Sequence, residues 1–96
     1  MKKFVFLSSG YVTPTQEIKE AWGKWFASFG DKMVDPGSPF GPGREITHSG
    51  TKELPVDKAA TVGYCIIHAN NMDEAVKIAE ACPIITSIRV YEAMSM

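Results

Sequence analysis

The sequence predicts an α+β protein with elements in the order strand, helix, strand, strand, helix, strand. Three observations carry that prediction. Short β-rich apolar runs stand at Phe4-Val5-Phe6-Leu7 and Gly63-Tyr64-Cys65-Ile66-Ile67. An aromatic stripe at helical spacing runs from Ile18 to Phe29. A second, capped apolar helix pattern lies between Asn71 and Cys82.

Phe4 to Leu7, bounded by Ser8-Ser9-Gly10, reads as a buried first strand. Thr13 is placed to cap a helix, with Pro14 at its first position and Gln16 three residues after the cap. Within that helix Ile18, Ala21, Trp22, Trp25, Phe26 and Phe29 recur at the 3.6-residue period. One wide apolar stripe of this kind reads as core rather than as an aromatic ligand box. Gly30 is placed to end the helix in a left-handed turn.

Asp31 to Val34 is a candidate short second strand. Residues 35–43 follow with three Pro and three Gly, which cannot continue a helix or a central strand. These glycines lack the strand-before and helix-after setting of a phosphate loop, so the segment reads as a structured turn or the rim of a pocket. Arg44 to His48 is a further candidate strand, and Ser49 to Ala60 reads as irregular and polar.

The pattern sharpens at Thr61, where the third main strand begins. Asn70 or Asn71 caps the second helix, with Glu74 three residues after Asn71. Met72, Ala75, Val76, Ala79 and Cys82 form its apolar face, and Pro83 stops it. Ile84 to Tyr91 is the last strand. This order is the split βαβ arrangement of a ferredoxin-like fold, an antiparallel sheet with two helices on one face.

Ninety-six residues suit a single domain, 1–96. Ten basic against eleven acidic residues, a net charge of -1, disfavour a nucleic-acid or anionic-membrane partner. The start Met1-Lys2-Lys3-Phe4 faintly imitates a signal peptide, but its apolar run is too short, so the expectation is a soluble cytoplasmic protein. Cys65 and Cys82 sit in apolar patterns and read as buried free thiols. Two lone histidines, His48 and His68, make a poor metal site, and no cofactor is expected.

Alternation in the strands carries a further expectation. Val62, Tyr64 and Ile66 lie on one side of the third strand, and Cys65 and Ile67 on the other. Phe4 and Phe6 likewise oppose Val5 and Leu7. Both faces are apolar, yet two helices cover only one. A homodimer packing sheet against sheet across a two-fold axis follows from this.

The same residues resemble a known family. Gly63-Tyr64-Cys65-Ile66-Ile67 is similar to the Gly-Tyr-x-Ile-Ile strand of the YCII-related domain, and Met72-Asp73-Glu74-Ala75 to its Leu-Asp-Glu-Ala helix start. Cys82-Pro83-Ile84 and Ile88-Arg89-Val90 resemble its helix end and closing strand. The resemblance implies a dimeric α+β barrel made of ferredoxin-like protomers. It does not carry over the family's chemistry. The Asp-Gly-Pro-Phe signature is absent before Gly63, and the first helix reads Lys19-Glu20-Ala21-Trp22 where some members have a His.

The last strand places Ser87, Arg89 and Tyr91 on the face away from the helices. An Arg there calls for a carboxylate, with Glu53, Asp57 and Glu92 as candidates, or for an anionic ligand. His68 and, more weakly, His48 are candidate bases, and Tyr64 and Tyr11 candidate hydrogen-bonding residues. Two functions follow. One is a non-enzymatic or accessory module that binds a small polar or anionic molecule in the inter-sheet cavity. The other is a cofactor-free isomerase, dehalogenase-like or oxygenase activity with His68 as base and Arg89 as anion holder.

Overall fold

A computed structural model describes residues 1–94. It contains β1 (Lys2–Ser9), α1 (Gln16–Ser28), β2 (Met33–Asp35), β3 (Gly43–Thr47), β4 (Gly50–Leu54), β5 (Thr61–Ala69), α2 (Met72–Glu80) and β6 (Ser87–Ala93). Four strands form one sheet in the order β2-β5-β1-β6, antiparallel at every joint. This is an α+β protein whose strand order is compatible with a ferredoxin-like fold. β3 and β4 form a separate two-stranded hairpin inserted between β2 and β5. Among the described residues, no helix is long and apolar enough to cross a membrane.

The helix-covered face of the sheet carries Phe4, Phe6, Cys65 and Ile67, all buried, joined by Ile88 and Val90 of β6. α1 contributes Trp25 and Phe29, and α2 contributes Ala75 and Ala79. The two helices meet the sheet differently. α2 presents alanines and lies close on β1, β5 and β6, whereas α1 stands further off on large aromatic side chains. Trp25 ties the layer together: its ring stacks at 6.0 Å on Phe6 and meets Phe29 edge-on at 4.7 Å. Its Nε1–H donates to the Ile78 carbonyl of α2 at 2.9 Å. The stripe read as core from sequence is therefore core at Trp25 and Phe29. Trp22 and Phe26 are only half-buried.

Several boundaries differ from the sequence expectation. The cap of α1 is Thr15, whose hydroxyl accepts from the Ile18 amide at 3.2 Å, rather than Thr13. The chain before it stays outside the helix, held by the Gly10 and Tyr11 amides, which donate to the carbonyls of Ala60 and Asp57. Gly30 does not take a left-handed turn. The chain tightens into a 3-10 turn, Gly30–Lys32, in which the Lys32 amide donates to the Phe29 carbonyl. β6 begins at Ser87 rather than Ile84, since Cys82 and Ile84 form a tight turn and the Thr86 amide caps the end of β1 at Ser9. The segment read as irregular, Ser49 to Ala60, contains β4. α2 starts as expected, with the Asn71 side chain accepting from the Glu74 amide at 2.9 Å.

The Gly/Pro loop continues the sheet edge. Pro39 bridges to Gly63, and the Phe40 amide donates to the Val62 carbonyl at 2.7 Å. The loop is pinned by Asp35, whose carboxylate accepts from the Gly37 amide and from the Tyr64 hydroxyl. Phe40 stacks on Tyr64 at 5.7 Å.

Candidate functional site

Two surfaces could bind something, one on each side of the sheet. The first is the bare face. Antiparallel partners share a side, so the pairing lays out its rows directly. Val5 sits between Ile66 and Tyr91, Leu7 between Tyr64 and Arg89, and Lys3 between His68 and Ala93. This face is apolar at its centre, cationic at Lys3 and Arg89, and covered by no helix. Tyr91 is 51% exposed.

Arg89 lies on the face expected from alternation and is exposed. Among the described residues it forms no ion pair: Glu92 lies 3.8 Å from Lys2 instead. His68 shares the face, and its Nδ1 is buried with no hydrogen-bond partner among the described residues. The two do not converge. Their rows are four residues apart along the strands and two strands apart across them, about 16 Å in all. The strand register therefore does not bring a base at His68 and an anion holder at Arg89 of the same chain together at one point.

Tyr64 is committed elsewhere. Asp35 takes its hydroxyl at 3.2 Å and raises its pKa, first by its charge and then by the hydrogen bond. His48 occupies the turn between β3 and β4 in full solvent. Both cysteines are buried and free. Burial pushes the Cys65 thiol up to about 11 and the Cys82 thiol up to about 12, so neither is an accessible nucleophile near neutral pH. No cluster of three or more His, Cys, Asp or Glu among the described residues could hold a metal ion.

The second surface was missed by sequence reading. The stand-off of α1 leaves a cleft of about 640 Å³ between that helix, the ends of β1 and β5, and the Pro36–Pro39 loop. Ile18, Trp22, Phe26, Val62 and Ile85 give it apolar walls, and Tyr11, 41% exposed, stands at its mouth. Lys19 is the single charged residue in the lining. Its size falls within the range of small-molecule sites. Gly23 also lines it, in the interior of α1, where Gly costs about 1 kcal/mol relative to Ala. A Cβ built at Gly23 would meet nothing within 4 Å, so packing does not require the glycine. Its effect is to leave the cleft unobstructed. The sequence signals for this site were the Gly/Pro segment, read as a turn or a pocket rim, and a Gly inside α1.

Comparison with known proteins adds no relative: no protein-family model, no curated protein and no solved structure matches the chain.

Proposed function

We propose that this protein is a homodimeric, cofactor-free binding module that takes one flat, amphipathic organic anion per chain in the cleft beneath α1. The observation that carries the reading is the cleft itself, apolar on its walls with a lone ammonium, Lys19, in its lining. An aromatic or alicyclic body would lie against Trp22 and Phe26, and its acidic group would meet Lys19. The dimer arises from the bare sheet face, in the manner of the dimeric α+β barrels that the YCII-like strand and helix motifs imply. Free buried thiols fit a reducing compartment, and the cytoplasm is the location proposed.

A second reading keeps an anion in the inter-sheet cavity of the dimer, favoured by one observation, an Arg89 on the bare face with no ion pair among the described residues. An enzymatic version of it would draw the base and the anion holder from different chains, because His68 and Arg89 of one chain stand in rows four residues apart.

The test uses 8-anilinonaphthalene-1-sulfonate as the probe, read by energy transfer from Trp22 and Trp25. One probe should bind per chain. Gly23→Leu should fill the cleft and abolish binding while leaving far-UV circular dichroism unchanged, and Lys19→Gln should weaken binding several-fold, as loss of an exposed charge pair does. Binding that survives Gly23→Leu but disappears in Arg89→Gln would move the site to the inter-sheet cavity. Survival in both variants would overturn both sites.

A further inference from the structure

The row of side chains that the sheet turns toward α1 shrinks as it reaches the cleft. Antiparallel partners lie side by side on one face, so Phe4 stands beside Ile67, Phe6 beside Cys65, and Ser8 beside Gly63. The first two pairs are buried core. The third is half-buried, and both of its members line the cleft. A Cβ at Gly63 would meet the Ser38 carbonyl oxygen at 3.6 Å, an ordinary contact, so packing admits a larger residue there. Ser8 and Gly63 therefore keep the floor of the cleft low where a Phe or an Ile would fill it.

Ser8 does more than leave space. On its other side it pairs with Ile88, which packs on the core, so its hydroxyl is set among apolar neighbours. Among the described residues the Ser8 side chain makes no hydrogen bond, whereas Tyr64 donates to Asp35 and Thr86 to the Lys58 carbonyl. Tyr11 and Ser38, also in the lining, are exposed. A hydroxyl drawn out of water without a partner is unfavourable, and a ligand that supplies the partner offsets that cost. The cleft thus carries two polar points, the exposed Lys19 ammonium on the helix and the Ser8 hydroxyl on the sheet. Trp22, Phe26 and Cys65 line the space with them.

We infer that the cleft is selective for hydroxylated aromatic acids, with Ser8 taking the ring hydroxyl and Lys19 the acidic group at the far end of the ring. The inference rests on the cleft-binding reading proposed above and names the class of ligand that it takes. The Ser8 contact is one hydrogen bond between neutral groups. It sets the preference among ring acids and not whether they bind.

Isothermal titration calorimetry of the wild type, Ser8→Ala and Gly23→Leu tests it with three probes. In 6-hydroxy-2-naphthoate the hydroxyl lies across the ring from the acid, in 3-hydroxy-2-naphthoate it lies beside the acid, and 2-naphthoate has none. The wild type should bind the first about fivefold more tightly than the other two, as a neutral hydrogen bond supplies. Ser8→Ala should erase that preference, leave the affinity for 2-naphthoate unchanged and keep the far-UV circular dichroism of the wild type. A wild type without the preference, or a preference that persists in Ser8→Ala, would overturn the role of Ser8. The cleft itself would still stand if Gly23→Leu abolished 2-naphthoate binding. Binding of 2-naphthoate that survives Gly23→Leu, or a wild type that binds none of the probes, would overturn the cleft and the inference together.

Discussion

Gly37→Ala lowers the unfolding free energy by roughly 3 kcal/mol, the sum expected from a strained backbone and broken loop hydrogen bonds. Gly37 has φ of 74°, a conformation that costs a side-chain-bearing residue about 1–2 kcal/mol. The larger problem is space. A Cβ at this position would stand 1.7 Å from the Tyr64 carbonyl oxygen, a backbone atom of β5 that cannot swing aside. The loop must lift, and with it go the Gly37–Asp35 bond, the Phe40–Val62 bond and the stacking of Phe40 on Tyr64. Gly41→Ala is the control, because a Cβ there meets nothing within 4 Å and its φ is not positive. Urea unfolding followed by tryptophan fluorescence, at one fixed protein concentration, should separate the two variants clearly. Equal stability would mean that the Gly/Pro loop does not pack along β5.

Trp25→Ala costs more, about 4 kcal/mol, in the range for truncating a buried Trp. This ring fills the gap between α1, the sheet and α2, touching Phe6, Trp22, Phe26 and Phe29. It also carries the side-chain hydrogen bond to Ile78 that links the helices. Trp25→Phe should cost less than half as much. It keeps part of the ring volume, and the Ile78 carbonyl it abandons still accepts from the Ala81 amide. Trp22→Ala, at the half-buried wall of the cleft, should cost less again. The same urea titration measures all three. A Trp22 variant as unstable as the Trp25 variant would show that the two rings are equally core and that no cleft separates α1 from the sheet.

How much of this was legible in the sequence depended on whether burial leaves a period. β1, β5 and the two helices each bury one face, and their apolar spacing marked them, down to a cap of α2 at Asn70 or Asn71. Alternation assigned the faces along most of β1, β5 and β6, and Arg89 lies where that assignment put it; Val62, expected beside Tyr64 and Ile66, lines the cleft under α1 instead, where the register shifts opposite Ser8 and Ser9. β4 left no such trace, since a strand exposed on both sides has no apolar alternation to read. Its available signal was electrostatic: Arg44-Glu45 facing Lys52-Glu53 across the His48-Ser49 turn. Thr13 was the expected cap of α1, and the cap falls at Thr15; the hydrogen bonds of Gly10 and Tyr11 to a distant loop, which hold the chain before it, leave no local signal.

The cleft was illegible for another reason. A stripe containing two Trp and two Phe signals a buried face, but the spacing cannot tell how far large rings hold a helix from its sheet. The gap depends on the alanines of α2 pulling the second helix in while Trp22, Trp25 and Phe26 prop the first one out. The separation of His68 from Arg89 was likewise set by strand register, which pairs Lys3 with His68 and Leu7 with Arg89.

The homodimer proposed above buries the bare sheet face, with Val5, Leu7, Ile66 and Arg89, against a second copy of the chain. Sedimentation equilibrium of the wild type at micromolar concentration tests it most directly. That homodimer gives a single species of twice the 10.5 kDa chain mass, dissociated by Val5→Glu, which places a carboxylate at the apolar centre of the face between Ile66 and Tyr91. A monodisperse 10.5 kDa species across that concentration range would contradict it.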